Sequence, residues 1–309
     1  MADSSFISRQ ERFPLVGSTS DVVRGWLAGG EPEVCLAVAD EQSSGRGRQG
    51  RTWWAPAGRA LLLSLGFRPT WLQPDLTWRL GATVSLAMAD AAEEVAGLAD
   101  RSIRLKWPND MVVEESDLAG WHDAPVPAGL EATDAGPGYR KLAGVLGETS
   151  GLGSDRPTAV VGIGINAAWP AAEFPPELAA GMTSLHEASH GRPIDMAALL
   201  DGFLGRLEVR VAALQAGRFD VADWLDRQLV VGRLVRIERP DGSDEVVRVV
   251  GLDIRTGGLL VGDVAAPGGE RLVLGGEVRH LRLASATVGG AAPGTDTGTG
   301  AAPGPRAGV

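Results

Sequence analysis

The sequence is nearly without cysteine, tyrosine and lysine, and it has no excess of positive charge. With one cysteine in 309 residues, Cys35, no disulfide can form within the chain. Cys35 lies in the apolar stretch "VCLAVA", the setting of a buried and unreactive thiol. No apolar run approaches the ~20 residues of a membrane helix; the longest, "ALLLSLGF" and "TAVVGIGI", have strand length. The opening "MADSSFISRQER" lacks the apolar segment of a secretory signal. A formal net charge of −10 argues against general nucleic-acid binding, because neutralising phosphates takes a basic face. These exclusions leave a soluble, cytoplasmic enzyme with no membrane and no nucleic-acid partner as the expected class. The length suits one large domain or two unequal ones, and no internal repeat is visible.

Of 29 basic residues only two are lysine, Lys106 and Lys141. Coding bias alone can produce such a skew. Where so arginine-rich a chain keeps a lysine, a compact ammonium is the group that a planar guanidinium cannot replace.

Residues 1–13 read as a polar arm. "STSDVVRGWLAGG" (18–30) has the form of a capped helix ending in two glycines. Apolar runs at 33–40 and 60–67 read as strands, and 75–98 has the spacing of a buried helix. "IRLKWPND" and "MVVEE" give a strand, a proline break and a second strand. Residues 116–139 are rich in Gly, Pro, Ala and acids without periodicity, which marks an inserted flexible loop. Strands are expected at 140–149 and 158–167. A long amphipathic helix at 195–217 with Asp195 as N-cap and a short helix at 219–230 follow. From 232 to 285, turn signals every eight to twelve residues mark a small β-barrel. Residues 286–309 are a Gly/Ala/Pro/Thr tail. The periodicity thus predicts a mixed α/β unit over 14–231 and an all-β unit after it.

Four stretches carry polar groups into this apolar frame. The first, "GRGRQGR" (45–51), alternates glycine with Arg46, Arg48 and Arg51 between two core strands. Glycines let the backbone approach a ligand, and guanidinium groups clamp phosphate or carboxylate. The stretch is neither a Walker loop nor a dinucleotide fingerprint. Trp53 and Trp54 follow and can wall in a flat group. The second is "KWPND" (106–110), compatible by itself with a plain turn, where Asn109 and Asp110 reach a site edge. In the third, "RKLAGVLGE" (140–148), strand alternation places Lys141 with Ala143 and Val145 on one face, from which it would point into a cavity that Gly144 and Gly147 keep open. In the fourth, "GIGIN" (162–166), Asn166 closes a glycine-rich strand.

In this order and spacing the four stretches resemble the biotin protein ligase family. Its pattern is a GRGRxGRxW loop, KWPND, K-L-x-G-[IV]-L-x-E and G-x-G-x-N. Here these are "GRGRQGRTW" at 45–53, "KWPND" at 106–110, "KLAGVLGE" at 141–148 and "GIGIN" at 162–166. "GSTSD" (17–21) and Gln42 match two further family positions, and the likeness spans about residues 14–285. Both lysines fall inside it.

The resemblance implies a central mixed β-sheet with helices, of the class II synthetase and biotin ligase type, then a small SH3-like barrel. It implies that ATP, with Mg²⁺, activates biotin as biotinyl-5′-adenylate, and that the biotinyl group passes to a lysine of a biotin carboxyl carrier domain of acyl-CoA carboxylases. Ser18, Thr19, Ser20, Gln42, Arg46, Gly47, Arg48 and Lys141 would line the biotin site. Arg48, Arg51, Trp53, Lys141, Asn109 and Asn166 would meet ATP. Arg48, Lys141 and Asp110 would be catalytic, Asp110 orienting Lys141 or the incoming amine. No metal ligand is assigned. The Arg/Gly loop is expected to close over the adenylate and to be disordered without it. The family's DNA-binding domain has no room before residue 17, so no repressor role is expected; the working form would be a monomer or weak homodimer. Ser20 stands where the family commonly has Asn or Gln, and the 116–139 insertion is longer than usual. A lipoate or octanoate ligase of the same fold and a non-catalytic biotin-binding protein are the rival readings.

Overall fold

The computed structural model describes residues 6–118, 138–262, 269–278 and 280–284. The greater part of the 116–139 insertion and the whole 286–309 tail lie outside the described residues. A seven-stranded mixed sheet forms the centre, in the order β1-β2-β3-β7-β6-β5-β4. Its strands are β1 (Arg9–Phe13), β2 (Cys35–Ala39), β3 (Ala60–Phe67), β4 (Ile103–Lys106), β5 (Asp110–Glu114), β6 (Tyr139–Ser150) and β7 (Thr158–Asn166). Only the β1–β2 pair is parallel. A second, antiparallel sheet of SH3-like type follows in the order β11-β10-β9-β8-β12. It comprises β8 (Leu234–Glu238), β9 (Asp244–Leu252), β10 (Leu259–Gly262), β11 (Glu270–Val273) and β12 (His280–Leu283).

The central strands read as unbroken apolar runs because helices cover both of their faces. On β2, Cys35 and Ala37 pack with Val23 and Leu27 of α1 (Thr19–Ala28). Leu36 and Val38 face the opposite core, built on α2 (Trp78–Ala96). Burial, with Glu31's charge adding to it, pushes the Cys35 thiol up to about 11, so it stays an inert thiol. The helix α5 (Met196–Gln215) lays Leu199, Phe203, Leu207, Val211 and Leu214 against this core. Asp195 caps it, accepting the N–H groups of Ala197 and Ala198. Short helices α3 (Pro176–Ala179) and α4 (Leu185–Ala188) precede it and α6 (Val221–Asp226) follows. Among the described residues no helix is long and apolar enough to cross a membrane.

Two expectations are corrected here. Residues 9–13 are the edge strand β1 and not part of a polar arm; their side chains are largely exposed, so backbone pairing with β2 makes the strand without an apolar pattern to announce it. Ser18 stands at the N-cap position of α1 but makes no side-chain cap bond. The Thr19 N–H goes instead to Gln42 Oε1 at 2.8 Å.

Arg227, wholly buried behind the sheet, had no signal in the sequence. It pairs with Glu93 at 2.8 Å, Asp90 at 2.7 Å and Asp223 at 3.2 Å, and donates to the Ile103 carbonyl. This joins α2, α6 and the start of β4, the strand that ends in Lys106. Arg210 still pairs with Asp90 and Asp223, but buried Glu93 loses its counter-ion, so Arg227→Met is expected to cost about 3 kcal/mol. Urea unfolding checks this; a loss below about 1 kcal/mol would mean that the carboxylates find water or another partner.

Candidate active site

The site forms where the Arg/Gly loop crosses the middle of the sheet. Gly47 N–H donates to the Arg51 carbonyl at 2.7 Å and Trp53 N–H to the Gly45 carbonyl at 2.9 Å, closing residues 45–53 into a tight hairpin. Gly45 is demanded by packing: a Cβ there would lie 2.3 Å from the Trp53 carbonyl oxygen. In this conformation the loop is held by contacts on both of its sides. Arg46 pairs with Asp21 at 2.7 Å and Glu148 at 3.3 Å, and Arg24 holds the same two carboxylates. Burial works to raise the Asp21 carboxyl, but Arg46 and Arg24 outweigh it and hold it below the usual range. Arg48 reaches the far side, donating to Asn109 Oδ1 at 3.2 Å, to the Val278 carbonyl at 3.1 Å and to the Gly275 carbonyl.

Asp110 and the two lysines meet beneath the loop. Lys106 and Asp110 are cross-strand partners in the β4–β5 hairpin, whose turn contains the cis Trp107–Pro108 bond. Lys141 Nζ lies 2.7 Å from Asp110 Oδ1, and Lys106 Nζ 3.5 Å from Oδ2. Burial pushes the Asp110 carboxyl up; the charges and hydrogen bonds of Lys141 and Lys106 win and hold it below the ordinary carboxylate range. The chain's one tyrosine, Tyr139, sits 5.5 Å from Lys106 Nζ, its hydroxyl pushed up to about 12 by burial and then by Asp110's charge.

Lys141 does point into a cavity, but with other face-mates than simple alternation gave. The β5–β6 register slips between Met111 and Val112, so Leu142 is an extra residue on β6. The bulge shifts the phase: Leu142 and Ala143 enter the core, and Lys141 joins Gly144 on the site face. A Cβ at Gly144 would come within 3.5 Å of Lys141 Nζ.

Two adjoining cavities open here. The smaller, of about 150 Å³, is lined by Ser18, Thr19, Ser20, Gln42, Ser64, Trp53, Lys141 and Gly164. The larger groove, of about 1060 Å³, runs under the loop past Trp78, Trp107 and Gly147 to Gly257 and Gly275 of the barrel. Arg46, Gly47, Arg48, Arg51, Lys106, Asn109 and Asp110 line both. Of the residues expected on the nucleotide side, Trp53 lies in the smaller cavity only. Its indole fills the slot left by the missing side chain of Gly164, where a Cβ would be 2.5 Å from the ring. Trp53 Nε1 is buried there with no hydrogen-bond partner among the described residues. Asn166 lines neither cavity; it is buried and donates to the Thr183 carbonyl at 3.0 Å.

Several site residues were missed. Ser64 is wholly buried and joins Thr19 Oγ1 at 2.8 Å and Ser20 Oγ at 3.0 Å. Its signal was the single hydroxyl inside "ALLLSLGF". Lys106 was noted for its rarity but given no role. The barrel's contribution, the carbonyls of Gly275 and Val278 with His280, had no local signal. Among the described residues no group of three His, Cys, Asp or Glu side chains gathers to hold a metal.

Comparison with known proteins agrees with this geometry. Residues 13–166 match the model of the biotin/lipoate A/B protein ligase family. The chain is 30% identical over 271 residues to the biotin–[acetyl-CoA-carboxylase] ligase of Mycobacterium tuberculosis, covering 86% of each. It is 29% identical to a bifunctional ligase/repressor of Bacillus subtilis, over 74% of this chain and 62% of that one. The biotin protein ligase of Aquifex aeolicus solved with biotin and ATP has a TM-score of 0.68 at 25% identity, over 90% of this chain and 100% of the other. Sequence motifs, fold and site geometry lead to one conclusion: the chain belongs to the biotin protein ligase family.

Proposed function

We propose that this enzyme joins biotin to MgATP as biotinyl-5′-adenylate with release of pyrophosphate, then transfers the biotinyl group to a lysine of a biotin carboxyl carrier domain. One observation carries the reading: Arg48, Lys141 and Asp110 converge at the junction of a small hydroxyl-lined cavity and a large groove. The small cavity suits a ureido ring, which offers one acceptor and two donors to the hydroxyls of Thr19, Ser20 and Ser64 and the amide of Gln42. The apolar body of biotin would lie against the Trp53 indole. The carboxylate would then point to Lys141 and Arg48, where the two cavities join.

At that junction a carboxylate must attack the α-phosphorus of a triphosphate, so two anions have to approach. Lys141, Lys106, Arg48 and Arg51 supply four cations against the single charge of Asp110. Such preorganised charge offsets the repulsion and stabilises the transition state. Burial without a full counter-ion set pulls Arg48 below its ordinary value, which marks a guanidinium short of anions. The divalent ion arrives as part of the nucleotide substrate. Asn109 and Arg51 would border the nucleotide in the groove. Closure of the loop keeps water from the mixed anhydride. The working form on this reading is a monomer or weak homodimer, and a net charge of −10 makes DNA an unsuitable partner. A reaction on MgATP and carboxylase carriers fits the cytoplasm.

The test is pyrophosphate release from MgATP with biotin or lipoate as the acid. Release with biotin alone is expected. Release with lipoate alone would move the chain to the lipoate branch that the family model also covers. A finer check concerns the hydroxyl cluster. Ser64→Ala leaves Thr19 and Ser20 short of a buried partner, so the KM for biotin should rise about tenfold, ~1–2 kcal/mol, with kcat little changed. An unchanged KM would put the ureido ring elsewhere.

A further inference from the structure

Lys141 needs a fixed backbone if its ammonium is to stay where the two cavities join, and the sheet supplies only half of one. On one side β5 pairs with it at Val112. On the other side β7 has run out: the β6–β7 ladder ends at Ala143, opposite Ile165. Residues 181–183 fill the gap and run parallel to β6, with Met182 beside Lys141. Lys141 N–H donates to the Gly181 carbonyl at 2.9 Å, and Thr183 N–H donates to the Lys141 carbonyl at 2.9 Å. Asn166 pins the far end of this piece through the Thr183 carbonyl at 3.0 Å.

The near end is pinned by Arg140. Adjacent strand residues point to opposite faces, so its side chain leaves β6 on the face away from Lys141. It is buried, 6% exposed, and lines neither cavity. Nη1 donates to the Ala179 carbonyl at 2.8 Å and to the Ala180 carbonyl at 2.6 Å. These carbonyls end α3, where a helix leaves its last acceptors without partners of its own. Nη2 pairs with Glu115 Oε1 at 3.2 Å. Glu115 N–H in turn donates to the Gly138 carbonyl at 2.8 Å, where the two flanks of the 116–139 insertion meet. Burial pulls the Arg140 guanidinium below its ordinary value, and Glu115 makes up only part of that. Packing alone would be served by an uncharged side chain of similar volume without this cost. A guanidinium adds a rigid fork whose donors are fixed in direction.

We infer that Arg140 is the positioning residue of Lys141: by gripping the end of α3 it holds residues 181–183 against β6. That keeps the Lys141 ammonium 2.7 Å from Asp110, the point where, on the ligase reading above, the biotin carboxylate and the α-phosphate meet. Two consecutive basic residues thus divide the work. Lys141 faces the reacting atoms, and Arg140, behind it, sets the frame.

A chain with only two lysines makes the test direct. The wild-type chain and Arg140→Met would be treated with a low dose of an acetylating N-hydroxysuccinimide ester, without biotin or ATP. Mass spectrometry then reads Lys141 and Lys106 side by side. Held against Asp110, Lys141 is shielded from the reagent. With its strand partner loosened it should be labelled about tenfold faster, the scale of one lost charge-assisted hydrogen bond, while Lys106 keeps its wild-type rate. Biotin-dependent pyrophosphate release should fall about 10²-fold, the scale for a catalytic group displaced by ~1 Å. A role confined to the stability of α3 would leave the Lys141 rate unchanged, and general loosening would raise both lysines equally; either result overturns the assignment. So would faster labelling of Lys141 with unchanged pyrophosphate release. Should Arg140→Met fail to fold, Glu115→Gln weakens the fork and keeps the packing. Lys141 alone should then be labelled about twofold faster, the low end for one weakened hydrogen bond, and an unchanged rate overturns the assignment. If the wild-type chain releases no pyrophosphate with biotin while Lys141 labelling changes as expected, the ligase reading falls and the positioning of Lys141 stands.

Discussion

Arginine in place of Lys141 is expected to lower biotin-dependent pyrophosphate release about 10²–10³-fold, ~3–4 kcal/mol of transition-state stabilisation. The charge is kept, so the loss tests shape. Lys141 Nζ sits 2.7 Å from Asp110 Oδ1, 5.6 Å from the Trp53 ring centre, and beside the bare backbone of Gly144. That space admits a compact ammonium. A guanidinium carries two more heavy atoms in a rigid plane, and its natural geometry with Asp110 is bidentate. It would turn toward the carboxylate and leave the point where the biotin carboxylate and α-phosphate meet. Circular dichroism would show that the variant folds. A rate within tenfold of wild type would sink the argument that the rare lysines are kept for their shape.

Glycine in place of Arg48 should differ in character: with three of the four cations kept, adenylation falls moderately, and containment is lost. Arg48 ties the loop to Asn109 and to the barrel carbonyls of Gly275 and Val278, and Gln49 adds one bond to Val278 at 3.1 Å. Losing a charge-assisted bond costs about 1.5–3 kcal/mol, so the loop should open about 10–100-fold more often. Biotinyl-adenylate would then escape and acylate exposed lysines of unrelated proteins. Incubating the variant with biotin, MgATP and serum albumin, then probing for biotin, measures this. Labelling of albumin no higher than with wild type would falsify the clamp role of Arg48. Adenylation reduced as severely as in Lys141→Arg would instead assign Arg48 to the chemistry.

The core elements were legible because their signals are local. Apolar runs of strand length, helical spacing in 78–96 and 196–215, and the Asp195 cap each act within a few residues. Strand β1 was not legible, since an exposed edge strand has no burial pattern. Lys141 reaches the cavity expected of it, but its face-mates were misread because one inserted residue at a bulge inverts alternation, and the bulge depends on how β5 and β6 pair. The seat of Trp53 was not legible either: the slot it fills is made by Gly164, more than a hundred residues away.

By itself the sequence determined the chemistry available to this protein. It supplied two lysines among arginines, a glycine-rich basic loop, a Lys–Asp pair four residues apart and a hydroxyl-rich helix start, since residue types and short spacings are local properties. Only the tertiary structure decided how these groups act. It set Asp110 between two lysines, pointed Arg46 outward at Asp21 and Glu148, brought Ser64 under Thr19 and Ser20, and seated the barrel against the loop so that Arg48, Arg51 and His280 meet. Those contacts join residues up to 230 positions apart. They follow from the packing of two sheets and their helices, which no short stretch of sequence contains.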